Sequence, residues 1–335
     1  MKRSILLAAA GALALGSTAP AADAPRSLPV GACINMGNQL EAQAETAHGG
    51  VAIEANDFKR IRAAGFTTVR VPVRWSNKTG EGPDYPIDPK WMARVTEVVD
   101  QALAADLNVI LNDHHFEALD ADPAGNSAKL AAIWTQVAAH FADRPTQHLW
   151  FEIENEPHDK LDNANLMATL APALVAIRRS NPDRAVVIGG ENWSGIDSLA
   201  TLTLPDDANV YPTFHYYEPF DFTHQGAGWV KPSPPPLGRV YGTPADAQRL
   251  VDDTAKIRAY VARTGLVPFM GESGAYDAHI SLPQRVQYTR AVHDAFTPLG
   301  VGICQWAYTN TFPLYDHKAK RWLPGLRGAA GLPEN

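Results

Sequence analysis

The amino-acid sequence predicts an α/β fold, a TIM (β/α)8 barrel. Eight short β-rich runs alternate with helical periods, and eight strand–helix units are the number that closes a parallel barrel. The 335 residues suit one such barrel with insertions. The rival, a doubly wound open sheet, wants a glycine-rich phosphate turn after its first strand. Gly31, Gly37, Gly49 and Gly50 do not form one.

The strands are expected over residues 32–36, 67–73, 108–112, 148–155, 185–189, 209–216, 267–272 and 302–306, each a short run rich in apolar and β-branched residues. Asp88-Pro89 opens a helix that puts Trp91, Val95, Val98 and Ala102 on one face. Leu250, Thr254, Ile257 and Val261 do the same before the seventh strand. Pro172 is expected to kink the helix after the fourth strand or to delay its start. The longest loop, residues 218–248, holds Pro232, Pro234, Pro235 and Pro236 and is expected to wall a cleft. The eighth helix is reduced to a short, glycine-interrupted stretch after Trp322.

Apolar residues make up 45 % and charged residues 19 %, which excludes collagen-like, coiled-coil and disordered classes. Twenty-nine Lys and Arg against 36 Asp and Glu leave −7 with no basic stripe, so no nucleic-acid partner is expected. Lys2 and Arg3, the apolar run from Ile5 to Leu15, and Ala19-Pro20-Ala21 read as a secretory signal over residues 1–22, leaving one catalytic domain over 23–335. The signal implies a secreted or periplasmic, soluble protein with no membrane partner once it is removed. Its loss takes the balance to 27 against 36, or −9. An oxidising compartment permits a bridge between Cys33 and Cys304, on strands that a closed barrel makes neighbours. The reading favoured is two small buried thiols.

In such barrels chemistry gathers at the C-terminal strand ends. Arg70, Asp113, His114, His115, Asn155, Glu156, His215, Tyr217, Glu272 and Trp306 fall there. Glu156 and Glu272, on the fourth and seventh strands, can stand about 5 Å apart across the mouth, the spacing at which a retaining glycosidase uses one carboxylate as nucleophile and one as acid/base. Pro157 biases Glu156 away from helical angles, as suits the end of a strand. Asn155 offers an amide donor to a sugar hydroxyl. Gly271, before Glu272, lets something approach closely. An ionised nucleophile wants a cation and donors, and Arg70 and Tyr217 are the candidates. Glu152 and Glu154 read as no more than a charged edge.

Val69-Arg70-Val71-Pro72, Asn112-Asp113-His114-His115, Asn155-Glu156-Pro157, the run from Phe214 to Pro219, and Gly271-Glu272-Ser273-Gly274, with Trp306, together resemble glycoside hydrolase family 5, the cellulase family of the β-retaining barrel clan. The resemblance covers nearly all of residues 23–335, and Asp88-Pro89-Lys90-Trp91 and the run from Phe222 to Ala227 look like its bacterial endoglucanase members. It implies Glu156 as acid/base and Glu272 as nucleophile, with Arg70 and Tyr217 holding Glu272 charged and oriented. Asn155 would bind the hydroxyl next to the anomeric carbon, His114 (rather than His115) the same sugar, and Trp306 would be the stacking floor beneath it. His215 would tune the proton of Glu156. Ser273 stands where such cellulases commonly have an aromatic residue, and Ala307-Tyr308 after Trp306 has no match.

Sugar faces stack on aromatic rings. Trp193 and Trp229 are the preferred loop platforms over Trp75, Phe220 and Tyr241, while Trp91, Trp134 and Trp150 read as core. A zinc hydrolase built on Asp113, His114, His115 and His215 is the first rival, but its first strand would usually carry paired histidines where this one offers Asn35 and Asn38. A non-catalytic sugar-binding barrel would lack one of the two carboxylates. The expectation is therefore a secreted, monomeric, retaining endo-β-1,4-glucanase that needs no cofactor or metal. Its substrate is a soluble or amorphous β-glucan polysaccharide or oligosaccharide, with mixed-linkage glucan, xyloglucan and β-mannan as alternatives. With no carbohydrate-binding module in view, crystalline cellulose is not the expected substrate.

Overall fold

The computed structural model describes residues 24–47 and 50–334; the signal-peptide reading of residues 1–22 lies outside them. Eight parallel strands close into a barrel: β1 Ala32–Asn35, β2 Thr68–Val73, β3 Asn108–Asp113, β4 Leu149–Glu152, β5 Val186–Gly189, β6 Val210–His215, β7 Phe269–Ser273 and β8 Ile303–Gln305, with β8 hydrogen-bonded back to β1. All eight predicted strands are present.

The outer ring is built from α1 Ala55–Ala63, α2 Pro89–Leu103, α3 Glu117–Ala121, α4 Pro123–His140, α5 Leu166–Ser180, α6 Pro244–Thr264, α7 Leu282–Phe296 and the four-residue α8 Leu326–Ala329. Their starts follow the sequence closely. Asp88 caps α2 by accepting from the Lys90 N–H, with Pro89 in the first turn where its missing N–H costs nothing. Thr243 and Asp246 form a capping box at α6, and Gly265 ends that helix in the left-handed conformation at φ 69°. Val95, Val98 and Ala102 of α2 and Ile257 of α6 are buried between helices and barrel.

Three expectations are corrected. The start of the helix after the fourth strand is not delayed: α5 begins at Leu166 and runs through Pro172. The missing N–H costs about 3 kcal/mol in a helix interior, and burial of Leu166, Leu170, Ala173, Leu174 and Ile177 opposes it. The fourth strand stops at Glu152 rather than 155: after the Ile153 N–H has donated to Val187 O, the carbonyls of Asn155 and Pro157 accept from Ser194 Oγ and the Trp193 N–H instead of a ladder. Cys33 and Cys304 form a disulfide, not two thiols. Barrel closure sets them opposite each other in the β1–β8 register, a pairing that 271 residues of intervening sequence do not display.

Strand alternation divides the core. Outward positions such as Val69, Val71, Val109 and Leu111 pack under the helices. Inward positions Cys33, Ile110, Trp150, Val187 and Cys304 fill the lower barrel with Phe269. One pleat higher the inward residues turn polar, and the register sets Asn35 beside Arg70, Asn112 beside Glu152, and His215 beside Glu272. No described helix is long and apolar enough to cross a membrane.

Candidate active site

Arg70 organises the mouth of the barrel. It is fully buried, and its five N–H donors all find acceptors. Nε and one terminal nitrogen fork onto Glu152 at 2.7 and 2.8 Å. The other terminal nitrogen reaches Glu272 Oε1 at 2.7 Å and Asn35 Oδ1 at 2.9 Å, and the last donor goes to Asn155 Oδ1. Burial opposes the charge, yet Glu152 and then Glu272 hold the guanidinium pKa above its usual value. Since Asn155 Oδ1 accepts from Arg70, the Asn155 amide nitrogen is the donor end of that side chain, and its hydrogen bond to Glu156 works against the rise in the Glu156 pKa.

Glu272 accepts from Arg70 on one oxygen and from the Tyr217 hydroxyl, at 2.8 Å, on the other. Burial raises its pKa, with His215, Arg70 and the Tyr217 hydrogen bond pulling the other way. Glu156 lies opposite. Burial pushes it up to about 7 against the field of Arg70. Its Oε1 is 2.7 Å from His215 Nδ1. Burial lowers His215 to about 4, so the ring is neutral at pH 7, and its Nε2 has no partner beneath Gly271. A Cβ on Gly271 would sit 2.9 Å from that nitrogen, which is the close approach the glycine permits. Ligand atoms of Glu156, His215 and Glu272 all fall within 4.8 Å of one another. Three such groups could hold a divalent ion, but Arg70 already places a cation 2.7 Å from Glu272, and a second one there would be repelled.

Trp306 and His114 lie stacked with ring centres 5.8 Å apart and 13° between planes. His114 is buried beside Asn112, while His115 is exposed with φ 61°, so His114 is the inward-facing histidine. A Cβ on Gly37 would meet the Trp306 ring at 2.8 Å, so the indole packs directly on that backbone. Trp229, half exposed, joins Tyr276 and Phe312 on the Tyr217 side of the mouth. Trp193, also half exposed, stacks on His158 on the Glu156 side. Tyr241 and Trp75 are buried, whereas Phe220 is exposed and stacks on His224. Trp134 and Trp150 are core as expected, and Trp91 is partly buried against it.

Three acidic side chains differ from, or add to, the sequence reading. Glu152 is not a charged edge but the buried counter-ion of Arg70. Its signal was available: it shares the inward pleat with Trp150, two residues before. Glu154 is buried too, and burial together with Asp113 and Asp120 raises it well above the usual range. Glu41, which sequence reasoning missed, is buried and accepts from the Gln39 N–H at 2.9 Å, and burial pushes it up to about 7. Asn35 was weighed only as a missing metal ligand, yet it orients both Arg70 and, through the Gly271 carbonyl at 2.9 Å, the nucleophile-bearing strand.

The family Cellulase (glycosyl hydrolase family 5) matches residues 35–311. Endoglucanase H of Acetivibrio thermocellus is 33 % identical over 272 residues, which are 81 % of this chain and 29 % of that protein; the chain spans under a third of its length. Among solved structures, a hyperthermophilic endo-β-1,4-glucanase in complex with substrate is 39 % identical with a TM-score of 0.86, covering 90 % of this chain and 96 % of that one. Cel5A of Thermotoga maritima, solved with cellobiose and with mannotriose, is 36 % identical, also at 0.86, covering 90 % of this chain and 97 % of its own.

Proposed function

The chain belongs to glycosyl hydrolase family 5, the cellulase family, and on that premise we propose that it is an exported, retaining endo-β-1,4-glucanase. The observation that carries the mechanism is the opposed pair Glu156 and Glu272, with carboxylate oxygens within 4.8 Å and unlike surroundings. That spacing suits double displacement, since an inverting pair stands roughly 6.5–9.5 Å apart to admit a water.

Glu272, held between Arg70 and the Tyr217 hydroxyl, attacks the anomeric carbon while Glu156 gives its proton to the departing oxygen. Neutral His215 donates from Nδ1 to Glu156 Oε1, which leaves the other oxygen to carry that proton. Forming the glycosyl ester removes the charge of Glu272, so Glu156 then ionises more readily and takes a proton from the incoming water. The Asn155 amide binds the hydroxyl beside the reacting carbon, and Trp306 with His114 forms the floor under that sugar.

The substrate follows from the relatives. An endo-β-1,4-glucanase and a protein solved with both cellobiose and mannotriose support a β-1,4-linked glucan first and a β-mannan second. Reducing-sugar release from carboxymethyl-cellulose, barley mixed-linkage glucan, xyloglucan, glucomannan, galactomannan and xylan tests this. Release from the first two, with little from galactomannan and xylan, is expected. Activity confined to mannans would keep the mechanism and overturn the substrate. No release from any would sink the enzymatic reading in favour of a sugar-binding barrel.

A further inference from the structure

The backbone that carries Glu156 is gripped at three successive carbonyls. Asn155 O accepts from Ser194 Oγ at 3.0 Å, Glu156 O from His158 Nδ1 at 2.7 Å, and Pro157 O from the Trp193 N–H at 3.0 Å. A carbonyl only accepts, so Nδ1 is the protonated nitrogen of His158. Two of the three donors come from the turn after β5, where Asn192, Trp193 and Ser194 take left-handed backbone at φ 54°, 55° and 53°. Left-handed angles at three consecutive non-glycine residues are unfavourable and persist only where the surroundings enforce them. The grip itself enforces them here.

His158 joins this turn to the next layer. Its ring stacks on Trp193, centres 4.9 Å apart and planes 17° off parallel. Its backbone N–H donates to Asp120 Oδ1 at 3.2 Å, and the Lys160 N–H donates to Asp120 O at 3.1 Å, pinning residues 158–160 to α3. Trp193 remains 54 % exposed, so its far face is free.

We propose that His158 is a positioning residue for the acid/base, its Nδ1–H fixing the Glu156 backbone while its ring backs the Trp193 platform, so that one side chain couples binding on the leaving-group side to proton delivery. This rests on the reading of Glu156 as the acid/base. The two roles belong to different parts of one ring and are separable. His158→Phe keeps a ring behind Trp193 and loses the donor. His158→Asn places an amide N–H near the Nδ1 position and loses the ring.

The assay compares cellopentaose, which needs its leaving group protonated, with 2,4-dinitrophenyl cellobioside, whose cleavage does not. Loss of one hydrogen bond that aligns the acid predicts that H158F lowers kcat on cellopentaose about tenfold. Its KM and its kcat/KM on the dinitrophenyl glycoside stay within about twofold. H158N shows the reverse, with near-normal kcat and a KM for cellopentaose raised several-fold. A purely structural role would instead lower Tm and cut both substrates by the same factor in both variants, overturning the proposal. Full kcat on cellopentaose in H158F would overturn it as well. Glu156→Gln is the control, read in kcat/KM because water attack on the glycosyl-enzyme needs the base with either substrate: loss confined to cellopentaose keeps the acid/base reading, so that a failure then belongs to His158 alone. Equal loss on both substrates, or no wild-type cleavage of cellopentaose, removes that reading and the proposal with it.

Discussion

Arg70→Lys keeps the positive charge at the centre of the site and removes its shape. Five N–H groups of Arg70 reach five acceptors on four residues, Glu152 twice, Glu272, Asn35 and Asn155. An ammonium has three donors radiating from one point and cannot span a fork, so at least two bonds to this set are lost. Hydrogen bonds to charged groups contribute about 1.5–3 kcal/mol each, which gives roughly 3–6 kcal/mol divided between the fold and the transition state. A domain has only about 5–15 kcal/mol in total, so both readouts should move. Urea unfolding followed by circular dichroism should show a clear fall in midpoint. At least about 100-fold should be lost from kcat/KM, the factor that under 3 kcal/mol of misplaced Glu272 and Asn155 would produce. A Lys variant within about 0.5 kcal/mol and twofold of wild type would refute the claim that the guanidinium fork, rather than charge alone, organises the mouth.

Other consequences concern pH and covalent closure. The reaction needs Glu272 ionised and Glu156 protonated, so kcat/KM should be bell-shaped. Its acid limb should lie above the ordinary carboxylate range and its basic limb near the value of about 7 set by burial of Glu156. On 2,4-dinitrophenyl cellobioside, whose cleavage needs no proton, the basic limb of kcat/KM should be absent, and the same limb there as on cellopentaose would assign it to another group. Asp113 is fully buried, and burial pushes it up to about 8 against backbone hydrogen bonds from Trp75 and His114. A carboxyl whose folded pKa lies above its unfolded one stabilises below about pH 4 and loses that contribution as pH rises through the folded value. Asp113→Asn should therefore flatten the fall in Tm between about pH 4 and 8, and a wild-type slope in the variant would count against it. The disulfide closes 271 residues, for which chain entropy gives about 5.6 kcal/mol as an upper bound. Reduction, or Cys33→Ala with Cys304→Ala, should lower the urea midpoint while leaving KM unchanged, because both residues lie in the lower barrel, away from the mouth.

The number of strands, their order and the two carboxylates were legible in sequence because each is a local property. Strand runs carry their own apolar and β-branched content, Asp88-Pro89 marks a helix start, and strand ends in a parallel barrel all face one way. What stayed hidden depends on pairs brought together from far apart in the chain. Glu152 looks like one of three alternating acids until the register sets β2 and β4 on either side of β3, with Arg70 reaching across 82 residues to it. Cys33 and Cys304 are two thiols until closure of the barrel makes them partners. Trp193 is one loop tryptophan among several until Ser194, His158 and Pro157 force its turn into left-handed backbone and leave one face of the indole open. Side-chain chemistry and period were written locally, whereas partner choice came from a closed sheet in which each inward residue meets neighbours the chain does not place beside it.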